Sequence, residues 1–482
     1  MKLESLLENA RFLKAEIIYP FVIKEERMKR FWLVLLSLGL VMAFSASAFA
    51  VDVKVSGEFD VGGVYLNKAS LAKDSGSDIS TAFYYQKLQL APEFIVSPCL
   101  KLDTRFNVME RIWGGARTAA GTDVNAGGTS AGTRGENENI AFDLAYVDYT
   151  SPIGEFKVGY QPDYVFGTVF GDRSSGPPAG QIQYSVPVGP VTLLVGYAKE
   201  VDNSSSAVTT GVTTTDRDYD SYRLAAVYTG KNIETGALLL YNRDASNRSN
   251  ASDPYLMNAY NLVPYFKATI GPVALQGELN YGFGNAKKME DNIQGEDVSI
   301  STLSVFLDAT ANLGIFSVGG TFAYVSGDDP ATKDKLEGGA GNTAGLDWQP
   351  CLILFNTDLN YWLPAIYGHS DSLANGEMAN VWFYQGRVGV KPMPKLDAML
   401  SVSYAVADKK PDPNNYGITY SGGTYGWEVD VTGTYKITNN LSYMLGIGYL
   451  FTGDFFKGYN TPGQSNETVD NYLLVNKLVL TF

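Results

Sequence analysis

From Val51 onward the chain reads as eighteen segments in which apolar and polar residues alternate with a period near two. That period sends successive side chains to opposite faces of a strand, so each segment has one apolar and one wet face. In the first, Val51, Val53, Val55, Phe59 and Val61 oppose Asp52, Lys54, Ser56, Glu58 and Asp60. In the third, Leu100, Leu102, Phe106, Val108 and Ile112 oppose Lys101, Asp103, Arg105, Asn107 and Arg111. Val273, Leu275, Leu279, Tyr281 and Phe283 stand against Gln276, Glu278 and Asn280, and Trp427, Val429, Val431, Tyr435 and Ile437 against Glu428, Asp430, Thr432, Thr434 and Lys436. A soluble sandwich puts the wet face outside; a membrane barrel puts it inside.

The connections decide between these two. Short ones fall at Ser97-Pro98, Ser151 to Ile153, Gly189-Pro190, Gly230 to Asn232, Gly271-Pro272, Asn312 to Gly314, Pro392 to Pro394 and Thr438 to Asn440. Long ones cover 67–81, 113–138, 163–179, 201–217, 244–254, 285–296, 327–379, 408–422 and 454–469. Strict alternation of tight turns and extended loops predicts an all-β fold: one closed transmembrane antiparallel barrel of about 18 strands, with 16 as the alternative and both termini on the short-turn side. No Pro/Ser-rich linker divides the chain, so residues 51–482 form a single barrel domain.

Both ends agree. Met28-Lys29-Arg30, the apolar run Phe31 to Phe44 and Ala48-Phe49-Ala50 have the layout of a secretory signal peptide over 28–50, cleaved after Ala50. The run is too short for a spanning helix, which needs about 20 apolar residues. Residues 1–27 are an N-terminal extension, with Met28 the expected translation start. At the other end, Tyr472, Leu474, Leu478, Leu480 and Phe482 share one face, interrupted by Asn476, with Lys477 and Thr481 opposite. A last strand of this kind, ending on an aromatic, gains most where it closes a cylinder and faces lipid. It resembles the terminal signature of Gram-negative outer-membrane proteins, which implies that Phe482 is read by the barrel-assembly machinery.

Residues 1–50 hold seven of the 37 basic and five of the 51 acidic residues, which leaves 30 and 46, a formal net charge of −16. That balance argues against nucleic acid as a partner. Tyr65, Tyr84, Tyr85, Trp113, Tyr146, Tyr149, Tyr228, Tyr241, Trp382, Tyr384, Tyr449 and Phe451 sit near strand ends, where rings with one wet and one oily end form girdles at the membrane interface. Over the whole mature chain these features resemble the Gram-negative outer-membrane porin family. The resemblance implies a cell outer-membrane location, contact with outer-membrane lipid, a homotrimer, passive diffusion of small hydrophilic solutes and ions, and no enzymatic activity or cofactor.

A cylinder of 16 to 18 strands leaves an aqueous channel. The strand phases place Lys87, Gln89, Lys101, Asp103, Arg105, Asn107, Arg111, Arg223, Gln276, Glu278, Arg387, Glu428 and Asp430 on its lining, there to orient a passing solute or to pair with one another. In porins the third outer loop commonly folds inward; here Phe166 to Asp172 is similar to the aromatic, glycine and acidic mix of that loop, with Asp172 and Arg173 reaching the constriction. Loop 327–379 competes for that role: its apolar Cys351 to Phe355 and Tyr361 to Pro364 belong in the mouth, in a hairpin, in two further strands or against a neighbouring subunit.

Cys99 at a short turn and Cys351 in an outer loop should not be bonded across the apolar band unless the long loop dives through the channel. The single histidine, His369, offers no catalytic set, and no haem, phosphate-loop or zinc spacing occurs. Gly327-Asp328-Asp329 is a surface calcium candidate at most. The alternatives to a diffusive porin are a substrate-selective outer-membrane channel and a structural or adhesive barrel, or a sheath for an electron-transfer cytochrome.

Overall fold

The computed structural model describes residues 51–68, 71, 73, 80–115, 140–172, 178–203, 216–249, 253–290, 295–339, 348–362, 377–410, 422–458 and 468–482. The segments 1–27 and 28–50, His369 and Arg173 lie outside these residues.

The alternating segments form strands β1 (Asp52–Leu66), β2 (Thr81–Ser97), β3 (Leu100–Ile112), β4 (Ala141–Ser151), β5 (Gly154–Gln161), β6 (Ala179–Val188), β7 (Val191–Val201), β8 (Tyr219–Thr229) and β9 (Ile233–Asp244). They continue as β10 (Tyr255–Ile270), β11 (Val273–Met289), β12 (Val298–Leu313), β13 (Phe316–Val325), the two-residue β14 (Lys335–Leu336), β15 (Val381–Met393), β16 (Leu396–Ala407), β17 (Thr424–Lys436), β18 (Leu441–Thr452) and β19 (Asn471–Thr481). All but β14 build the wall, so eighteen strands close the barrel. Each wall strand pairs antiparallel with the next, β13 passing directly to β15.

Closure is made by β1 and β19, in register from Glu58↔Thr481 to Leu66↔Leu473. Phe482 sits on this seam, its N–H donating to Gly57 O at 3.0 Å and its carbonyl accepting Gly57 N–H at 2.9 Å. Gly57 is needed there because a Cβ would lie 2.7 Å from the Phe482 ring.

The eight predicted tight turns lie between paired strands, and the nine long loops all emerge at the other end. The outer wall is apolar: Val195, Leu224, Leu307, Val388, Val431 and Ile447 are exposed on it. Tyr222, Tyr241, Tyr260 and Phe283 stack strand to strand across β8 to β11 with centroids 4.7 to 5.8 Å apart. Further rings pair as Tyr84–Trp113, Tyr65–Tyr472 and Tyr404–Trp427. An apolar belt with ring rows around a closed barrel is the architecture of a transmembrane β-barrel.

Two expectations change at a bulge in β3. Met109 takes a left-handed φ of 55° and the β2–β3 register slips between Gln86 and Leu88. An inserted residue reverses the phase of the strand beyond it. Ile112, expected outside, is therefore buried in the interior beside Tyr85, while Arg111 pairs with Gln86 on the alternate face and does not continue the row from Lys101 to Asn107. Tyr85 is likewise an inward residue, stacked on Trp362 at 4.3 Å, and not part of a girdle. Gly62 makes room for its ring, which a Cβ would meet at 2.2 Å.

Candidate functional site: the lumen and its inward segments

Lumen-facing charges sit on alternate residues of neighbouring strands and meet across the ladder. Lys101 reaches Glu93, Asp103 and Asp148 at 3.1, 3.4 and 3.5 Å. Arg105 donates to Asp143 at 2.6 Å, and Gln89 donates to Asn107 at 2.9 Å. Arg387 binds Asp308 at 2.6 Å and Thr310 at 3.0 Å, with Thr321 beside it. Lys477 on β19 holds Asp60 on β1 at 3.3 Å. Lys87 stands 6.0 Å over the Tyr361 ring.

The described part of the third outer loop, 163–172, folds inward, and two wall residues hold it. Arg223, 6% exposed, donates to the Asp163 carbonyl and carboxylate and to Gln181, lies 3.4 Å from Glu200, and stacks on Tyr164 at 5.3 Å. Glu278, on the far side of the loop in sequence, accepts the backbone N–H groups of Thr168, Val169 and Gly171, the last two at 2.9 and 2.5 Å, and the Thr168 hydroxyl at 2.9 Å. A buried carboxylate is tolerated when its oxygens are filled by donors of this kind. Gly167, at φ 84°, brings the loop backbone against that carboxylate. Asp172 forms a bridge with Val165 that narrows the loop's base.

The described residues 348–362 of loop 327–379 also enter the barrel, so the two loops are partners and not competitors for the interior. In place of two further strands it carries, among the described residues, β14, paired parallel with Ser299 and Ile300 of β12, and a short helix α1 (Thr357–Trp362). Glu428 is fully buried and accepts the N–H groups of Ile353 and Leu354 at 2.6 and 2.8 Å. Asp430 accepts Leu352 N–H at 3.4 Å. Asp358 of α1 reaches Lys477 at 3.7 Å. The Gly327-Asp328-Asp329 turn is occupied by the protein itself: Asp328 accepts Glu337 N–H, and Asp329 accepts Ala331 N–H and binds Lys409 at 3.0 Å.

Between the anchors the two segments share one apolar core inside the barrel. Trp348 stands edge-on to Phe170 of the third loop and to Phe306 and Phe383 of the wall. Phe355 continues the row to Phe383 and Tyr425. Cys351 is buried in this core and Cys99 is exposed at its turn; both thiols are free.

The sequence phases placed Lys101, Asp103, Asn107, Arg223, Glu278, Arg387 and Glu428 on the inner face. They did not show that Arg223, Glu278 and Glu428 are loop anchors, nor name Asp163, Trp348 or Asp358 as their counterparts. Lys477 and Asp60 were readable on wet faces; Trp348 carried no signal.

No protein-family model matches the sequence, and no curated protein does. Among solved structures, the chain is similar to Pseudomonas aeruginosa OccK2 (OpdF), at 14% identity and a TM-score of 0.48 over 89% of this chain and 98% of that one. It is similar too to Pseudomonas aeruginosa OpdK, solved with vanillate, at 14% identity and a TM-score of 0.46 over 89% and 99%. By its own closed wall, apolar outer belt and charged interior, the protein is a transmembrane antiparallel β-barrel.

Proposed function

We propose that the protein is a water-filled outer-membrane channel for small hydrophilic solutes, made selective by its two inward segments and favouring cations. The observation that carries this reading is the seating of both loops on wall carboxylates, Glu278 and Glu428, which converts a wide cylinder into a narrowed one. Charge sets the sign. Lys101 faces three carboxylates, and Arg223 and Lys477 face two each. Acidic linings draw cations into a confined pore. This supports the selective alternative over unrestricted diffusion. Assembly as a homotrimer and recognition of Phe482 by the assembly machinery belong to the same reading; Phe482 is half-exposed at the seam, where another protein can reach it.

Planar bilayers test it. Under a salt gradient the purified protein should give discrete ohmic steps with a reversal potential on the cation side. Reversal at zero or on the anion side refutes the charge argument. Failure to conduct at all refutes the channel and leaves the adhesive or sheath barrel.

A further inference from the structure

The third inward anchor sets two buried carboxylates against each other with a buried thiol beside them. Cys351 Sγ and one carboxylate oxygen each from Glu428 and Asp430 lie within 4.8 Å of one another, and all three residues are buried. Their exposures are 3, 0 and 3%. Among the described residues no basic side chain forms an ion pair with either carboxylate, and Asp430 Oδ1 is buried with no hydrogen-bond partner. Asp163 meets Arg223, and Glu278 has both oxygens filled by loop donors, whereas Asp430 Oδ1 has no such partner. Two adjacent buried carboxylates without a cation are costly, because desolvation and mutual repulsion add.

The geometry points to a divalent metal site, of the zinc class, formed by Cys351 Sγ, Glu428 and Asp430. Thiolate with carboxylate oxygen suits a borderline ion such as Zn2+ better than the hard cations, which take oxygen alone. The loop N–H groups of Ile353 and Leu354 already fix the orientation of Glu428, the supporting role that outer hydrogen bonds play around metals. Binding would expel the thiol proton to solvent and place the ion between β17 and the segment beginning at Cys351. The ion then staples the inward loop to the wall and supplies the positive charge that the acids lack.

The test uses the full chain carrying Cys99→Ser, stripped with chelator in detergent and titrated with Zn2+ or Co2+. The expected result is about one equivalent of Zn2+ retained. Co2+ should show a sulfur-to-metal charge-transfer band, which reports the thiolate without removing Cys351. Cys351→Ser should lose the band and the tight binding, and Asp430→Asn should weaken it at least about tenfold. Absence of retained zinc, a cobalt spectrum without the sulfur band, or unchanged zinc binding in Cys351→Ser would each overturn the site. Should Cys351→Ser not fold, the spectrum of the Cys99→Ser parent decides alone. None of these readouts depends on conductance, so the site and the channel reading fail separately.

Discussion

Glu278 on β11 accepts the backbone N–H of Gly171 at 2.5 Å, 107 residues away along the chain. The contact is a wall carboxylate holding the tip of an outer loop inside the barrel. It joins three other donors from the same loop, so one side chain fixes the position of a whole turn.

Glu278→Ala should therefore release the third loop. Two buried N–H groups and one partly buried one lose their acceptor, each worth roughly 1–3 kcal/mol when left unmade, less what the freed loop recovers in water. Single-channel conductance should rise and become noisier, and the barrel should still close. Conductance equal to the parent would show that the loop does not narrow the lumen.

Arg223→Met removes the guanidinium that meets Asp163 at a buried position and Glu200 at a partly buried one. Removing one partner of such a group costs about 3–5 kcal/mol. The midpoint for heat-induced unfolding on semi-native gels should drop, and cation preference in bilayers should increase because the lumen loses positive charge.

Phe170 is fully buried and meets Trp348 of the other inward loop edge-on at 6.5 Å. Truncation to Ala should cost about 3–5 kcal/mol through the cavity it opens. The informative comparison is a double-mutant cycle with Trp348→Ala. A coupling energy near zero would mean that the two segments fold inward independently.

The outer ends of the loops respond to acid. The Ala331 N–H and the Lys409 ammonium hold the Asp329 carboxyl below its ordinary 3.8, and Lys335 and Thr332 hold Glu337 below 4.5. A lowered folded-state value means the stabilisation is present above the ordinary value and lost as pH falls through the folded one. Spin labels at Ala331 and Lys410 should thus keep one distance from about pH 7 to pH 5 and spread below about pH 3. Lys409→Glu should spread the distance at every pH.

Cys99 is exposed at a short turn and Cys351 is buried in the interior core. A water-soluble maleimide should label Cys99 alone in the folded protein and both thiols after denaturation. Electrophoretic mobility should be the same with and without reductant.

The wall was legible in the order of residues alone. Period two fixes which side of each strand is oily, and alternating connection lengths fix strand number and the end from which loops emerge, because both are local properties of the chain. Lys101, Asp103, Arg387 and Glu428 were readable on the inner face for that reason. Where a local irregularity intervened the reading failed: the left-handed Met109 reversed the phase of Arg111 and Ile112, and nothing in the residue types announces it. The work of the interior charges emerged with the closed barrel. Arg223, Glu278 and Glu428 meet loop atoms 60 to 110 residues distant. Closure brings such atoms together, and no pattern along the chain encodes which buried carboxylate will find which backbone N–H.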